Sequence, residues 1–168
     1  MPSSRGSPPP RDHISCIAGR FFTAEPWGKP RDRLWIKTIF QKLYQQSYPI
    51  EKMVLVDTYD ADDNASMADN NTSSFNYRVV EGTTHLSKHS LGLAIDINPR
   101  YNPYIHTLNG QTVCSPENGS DYADRSKDFP YKIDTEDYAY KLFLEYGFSW
   151  GGNWNSSKDY QHFEVDTE

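Results

Sequence analysis

At 168 residues with a formal net charge of −6, the chain is long enough for one domain with a sizeable core. The hydrophobic fraction is only 36%, but 14% aromatics, including 12 Tyr and 4 Trp, restore apolar area and argue against a disordered chain. Acids and bases are scattered without a basic run, which speaks against nucleic-acid or anionic-membrane binding, and no apolar run approaches the roughly 18 residues of a membrane span.

Residues 1–30 are rich in Pro, Ser, Gly and Arg and read as a poorly ordered lead-in to a domain over 31–168. The opening "MPSSRGSPPPRDH" has no hydrophobic stretch after its charges and is not expected to be a secretion signal. Cys16 and Cys114 form no C-x-x-C pair, and whether they join in a disulfide stays open.

From Asp32, Ile36, Ile39, Phe40 and Leu43 follow the i, i+3, i+4, i+7 spacing of an amphipathic helix that Pro49 stops. "KMVLVDTY" then reads as a buried strand. "DADDNASMADNNTSS" reads as an acidic surface loop with room for one helical turn. Its Asp60, Asp62 and Asp63 lack the ligand order of an EF-hand and are expected to be a solvated turn.

"FNYRVV" and "LAIDIN" are the next expected strands. In the second, Leu93, Ile95 and Ile97 share one face and Ala94, Asp96 and Asn98 the other. Residues 99–133 read as a long surface excursion. "DTEDYAYKLFLEYG" predicts a second amphipathic helix, capped by Asp134 or Thr135, with Ala139, Leu142, Phe143 and Tyr146 inward and Gly147 ending it. "QHFEV" predicts a terminal strand. The order implies an α+β domain with an antiparallel sheet.

Two of the expected strands bear metal-ligand chemistry. His89 stands seven residues before Asp96, and Gly92 between them permits a tight turn that lets both side chains converge. His162 from an adjacent strand would complete a two-His, one-Asp set, the donor types that zinc takes in catalytic sites with a fourth position left for water. Asp159, three residues before His162, could reach that water without being a ligand. Glu164 shares a face with His162 and is a rival base, with support of the ligand or a surface role favoured for it. His13, His85 and His106 compete as ligands, but His13 lies in the lead-in and His85 and His106 lack a comparably placed acid, which favours surface or supporting roles for them. Trp150, Trp154 and Tyr160 either line a substrate groove or pack around Gly151 and Gly152.

The spacing S-x-H-x-x-G-x-A-x-D, made by Ser87, His89, Gly92, Ala94 and Asp96, resembles the zinc-binding signature of the D-alanyl-D-alanine carboxypeptidase and L-alanyl-D-glutamate peptidase family. "GFSWGGNWNSSKDYQHFE" is similar to that family's second signature, and "DDNASMADNNTSSFNYR" to its upstream segment. The resemblance implies a hedgehog/DD-peptidase-like fold, an antiparallel sheet with flanking helices and a zinc site in a cleft. It implies one zinc ion on His89, Asp96 and His162, with Asp159 as acid–base group and Arg78 as the arginine that stabilises the carbonyl oxygen or holds the substrate. The expected activity is hydrolysis of peptidoglycan stem peptides by metal-activated water, most simply as a D,D-carboxypeptidase, with L-Ala-D-Glu endopeptidase as the alternative. Hedgehog signalling domains resemble the same group, so a non-catalytic zinc-containing binding module is the reading from another class. The family also implies a periplasmic or cell-envelope location.

Overall fold

The structure, a computed structural model, describes residues 30–80 and 83–166. His13 and Cys16 lie outside the described residues, so the lead-in and the cysteine pairing are not addressed by it. Helix α1 spans Pro30–Gln45 and begins two residues earlier than the sequence reading, at a proline suited to a first helical turn. Its predicted stripe is the one buried: Ile36, Ile39, Phe40 and Leu43 are each at most 5% exposed.

The second predicted helix is α3, Tyr138–Glu145. Its N-cap is Asp137, whose carboxylate accepts from the Ala139 and Tyr140 amides, rather than Asp134 or Thr135. Asp134 caps the turn just before, accepting from the Glu136 amide. Gly147, with φ +84°, ends the helix in the left-handed conformation. Phe143 packs at the centre of the core, stacked on Phe163 at 4.5 Å and edge-on to Phe40 and Phe148.

Among the described residues, six short strands form two three-stranded antiparallel sheets. The first orders β1 (Ala94–Asp96), β6 (His162–Glu164) and β4 (Ser149–Trp150) as β1-β6-β4. The second orders β2 (Tyr104–Leu108), β3 (Gln111–Ser115) and β5 (Lys158–Asp159) as β3-β2-β5. The architecture is therefore α+β with antiparallel pairing, as expected. In the first sheet Ile95 faces Phe163 across the ladder and both join the helices in the core. Fully burying side chains of this kind contributes about 1.5–3 kcal/mol each.

Three local expectations fail. "KMVLVDTY" is not a strand. It makes one bridge at Lys52 and then a 3-10 turn at Val56–Tyr59, because the Asn71 side chain takes both the Val54 amide (2.8 Å) and the Val54 carbonyl (3.1 Å). "FNYRVV" is extended but pairs only through a Val79–Leu86 bridge, leaving Val79 and Val80 exposed. The excursion over 99–133 is not plain loop: it contains the β2–β3 hairpin and a 3-10 turn at Glu117–Tyr122. Asn109 and Gly110, at φ 51° and 78°, form the hairpin's tip, an Asn-Gly signal that was present in the sequence.

The acidic loop holds the helical turn it had room for, as α2, Asp63–Ala68, capped by Asp62, but its end is not surface: Asn70, Asn71, Thr72, Ser73 and Ser74 are all under 5% exposed. That run lies against β1, with Ser73 and Asp96 exchanging backbone hydrogen bonds of 3.0 and 2.8 Å. No helix among the described residues is long and apolar enough to cross a membrane.

Asn102 ties the excursion to the core. Its amide donates to the carbonyls of Tyr131, Ile97 and Asn98, and its oxygen accepts from the Ile133 amide and from Arg125. Arg125 in turn lies 4.3 Å over the Tyr160 ring. Asn102→Ala should therefore cost about 2–4 kcal/mol, since it leaves the buried Ile133 amide without an acceptor and the Tyr131 carbonyl without its donor, while Arg125 keeps the Tyr101, Tyr122 and Ile133 carbonyls. Urea unfolding would read this as a lower midpoint, and an unchanged midpoint would mean that water replaces the amide.

Candidate metal centre

The β1–β6 register sets Asp96 directly opposite His162, on the face away from Ile95 and Phe163. His89 arrives from a 3-10 turn at Lys88–Leu91, just upstream of β1. The Ser87 hydroxyl caps that turn by accepting from the His89 amide, and Gly92 closes it at φ +65° with the left-handed geometry expected for it.

The three side chains meet as a triangle. His89 Nε2 lies 3.2 Å from His162 Nδ1 and 3.2 Å from Asp96 Oδ2, and His162 Nδ1 lies 3.0 Å from Asp96 Oδ1. All three are at most 7% exposed. Ligand atoms about 2.0–2.2 Å from a tetrahedral zinc stand about 3.3–3.6 Å apart, so the triangle is close to, and slightly tighter than, one face of such a site.

The far nitrogens decide what fills the triangle. His89 Nδ1 is 2.6 Å from the Ser74 carbonyl, which can only accept, so this nitrogen bears the hydrogen. His162 Nε2 is 3.1 Å from the Glu164 carboxylate and likewise donates. With both imidazoles neutral, two nitrogen lone pairs and a carboxylate then point at one another. Such a set demands a proton or a cation. Burial alone would lower the His162 pKa, but Asp96 and Glu164 raise it to about 10. Burial also pushes the Asp96 carboxyl up, and His89 and His162 outweigh it, holding it far below the usual carboxylate range. The donor chemistry fits a metal ion of the zinc type.

Asp159 is placed beside this triangle by the other sheet, where it pairs with Tyr104. Its Oδ1 is buried without a hydrogen-bond partner. Burial raises its pKa to about 7, with Asp96 adding to the rise while His162 and His89 oppose it. Gly151 allows the two strands to meet: a Cβ there would lie 2.6 Å from the Asp159 carbonyl oxygen, 2.8 Å from the Asp159 Cβ and 3.3 Å from the His162 Cβ. Nothing in the sequence reading had singled out Gly151 for this close approach.

Arg78 is anchored to the turn that bears His89. Its amide donates to the Ser90 hydroxyl at 2.7 Å, and its carbonyl accepts from the Ser87 amide. Its Nη2 pairs with Asp63 at 2.9 Å, while Nε is buried without a partner. Asp63 is thus an anchor for the arginine, not merely part of a solvated turn. Trp154 lies 5.4 Å from the His162 ring, whereas Trp150 belongs to the core and donates to the Tyr160 carbonyl. His85 is exposed, and His106 stacks on Tyr104, so neither joins the triangle.

Fold and donor set together define an α+β domain with a buried two-histidine, one-aspartate centre. Residues 81–165, half of the chain, match the family model of the D-alanyl-D-alanine carboxypeptidases, and the chain belongs to that peptidase family. The match contains His89, Asp96, Asp159, His162 and Glu164 and begins three residues after Arg78. No curated protein and no solved structure matches the chain.

Two outcomes are expected. Gly151→Ala should lower stability by about 1–3 kcal/mol, because backbone rather than a flexible side chain blocks the new methyl; unaltered thermal unfolding would show room that these distances deny. The second concerns Asp159 in metal-free protein. Its carboxyl keeps its proton up to about pH 7 when folded and up to only about pH 3.9 when unfolded. The stability this group contributes is complete below about pH 4 and is lost as pH rises through about 7. Asp159→Asn escapes that loss, so its advantage in denaturant midpoint over the wild type should widen across this window. A constant difference would mean that the carboxyl ionises as in water.

Proposed function

We propose that the chain is a zinc-dependent peptidase of the hedgehog/DD-peptidase-like fold acting on peptidoglycan stem peptides, most simply as a D,D-carboxypeptidase. The observation that supports it is the convergence of three lone-pair donors beside the half-buried Asp159, one of whose carboxyl oxygens is buried without a partner. A metal-binding group alone would serve a structural site equally well, but a structural site has no use for a desolvated acid.

In this reading His89, Asp96 and His162 hold the zinc ion. When bound, zinc supplies Lewis acidity and lowers the pKa of water from about 15.7 to near 7. Asp159 accepts a proton from the attacking water and returns it to the departing amine, a role worth about 10²–10⁴-fold in rate. Its raised pKa suits both halves of that task, since a carboxylate near its aqueous pKa is a weak base at neutral pH. Arg78, steadied by Asp63, offers its guanidinium to the oxygen of the scissile carbonyl as negative charge grows there.

Metal content measured by elemental analysis, beside mass-spectrometric assay of purified muropeptides, tests this. One zinc per chain and chelator-sensitive release of D-alanine are expected, with Asp159→Asn keeping zinc and losing at least about 10²-fold in turnover. Cleavage after L-alanine instead would make the protein an endopeptidase. Zinc without cleavage of either bond would favour the binding module, and a chain that takes up no zinc would overturn the reading.

A further inference from the structure

Glu164 has a carboxylate that the proposed reaction does not use, yet it touches the centre. It bonds to His162 Nε2 at 3.1 Å, on the opposite edge of the imidazole from Nδ1, the nitrogen that faces Asp96 and His89. A group in that position acts on the site only through the ring. Resting on the metal-site reading above, we infer that Glu164 is the positioning residue that fixes which nitrogen of His162 is offered to the ion, and that Ala94 is small in order to let it do so.

The strand register explains both halves. Residues two apart in a strand share a face, so His162 and Glu164 project from β6 together, as Asp96 and Ala94 do from β1. Asp96 lies opposite His162, and Ala94 opposite Glu164. On the other side of β6, Ser149 lies opposite Glu164. Both cross-strand neighbours of Glu164 are therefore small, and its side chain can lean along its own strand onto His162. Ala94 is 2% exposed, so a larger side chain there would compete for that space. Lys88 pairs with Asp166 at 2.7 Å and its ammonium also reaches the Val165 carbonyl, which leaves the Glu164 carboxylate to the histidine.

Tautomer choice follows from hydrogen bonding. Carboxylate oxygens only accept, so Nε2 must hold the hydrogen and Nδ1 presents its lone pair to the centre. His89 is set in the mirror sense, with Nδ1–H given to the Ser74 carbonyl and Nε2 free. The two histidines thus use different nitrogens, each selected by a different outer acceptor. Free imidazole prefers neither strongly, and without Glu164 the ring could flip or rotate and withdraw Nδ1. Outer partners of this kind are typically worth about 10–100-fold in metal affinity.

The test compares wild type, Glu164→Ala and Glu164→Gln for zinc affinity against a competing chelator, and for the visible absorption of the cobalt(II)-loaded protein. Circular dichroism of the metal-free proteins controls for folding. Glu164→Ala is expected to bind zinc about 10–100-fold more weakly and to show an altered cobalt spectrum. Glu164→Gln, whose amide oxygen still accepts from Nε2–H, should recover most of the affinity and the wild-type spectrum. Equal affinity of wild type and Glu164→Ala, or a Gln variant as weak as the Ala variant, would overturn the assignment. A wild type that takes up neither zinc nor cobalt would overturn the metal reading itself, an outcome distinguishable from failure of the Glu164 inference.

Discussion

The register of β1 against β6 is the constraint on which the centre depends. Asp96 meets His162 only because these two short strands pair as they do, and a one-residue slip of β1 would turn Asp96 toward the helices and Ile95 toward His162. The lock on that register is apolar. Phe163 stacks on Phe143 of α3, Ile95 joins the same cluster, and α1 covers it from beyond with Ile36, Ile39, Phe40 and Leu43. The third element is the buried run through Ser73, whose backbone holds the outer edge of β1 at Asp96. Apolar packing on one face thus aligns polar chemistry on the other.

Polar groups are buried here in unusual density, and they are not all treated alike. Those that shape the backbone are satisfied: Asn71, Asn98 and Asn102 each replace a missing strand or turn with side-chain hydrogen bonds. Beside the triangle the accounting differs: His89, His162 and Asp96 turn their polar atoms toward one another, and Asp159 Oδ1 is buried without a donor. Buried polar atoms left without partners mark places where strain or a bound group has to be accounted for.

Much of this was legible in the sequence where periodicity and spacing coincide. The stripe of α1, the stripe of α3 and the alternation in "LAIDIN" gave correct elements, and the positions of His89, Asp96 and His162 gave the triangle. Strand-like composition misled where no partner strand was at hand. "KMVLV", an apolar run, and "FNYRVV", which alternates, both lack a neighbouring strand along most of their length, and side-chain amides or solvent take the backbone groups instead. The opposite error hid "NNTSS", whose polar residues suggested surface although the segment is buried beside β1. Composition records what a side chain prefers, not whether its hydrogen bonds are met inside. The Ser74 carbonyl and Gly151 carry no side-chain signal of their role, since one acts through backbone and the other through the absence of a Cβ.

The division into two sheets has a consequence for how such a site can change. The three residues of the triangle hang from β1, β6 and the turn before β1, while Asp159 rides on β5, whose sheet partner among the described residues is the β2 arm of the hairpin. Only Tyr160 and Gln161 separate β5 from β6, so the chain crosses from one sheet to the other within the site itself. Among the described residues no ladder joins the two sheets, so lengthening or reshaping the hairpin at its Asn109–Gly110 tip leaves the pairing of β1 with β6 as it is. Asp159 and its surroundings thus sit on a part of the fold that can be reshaped separately from the strands that bring Asp96 and His162 together.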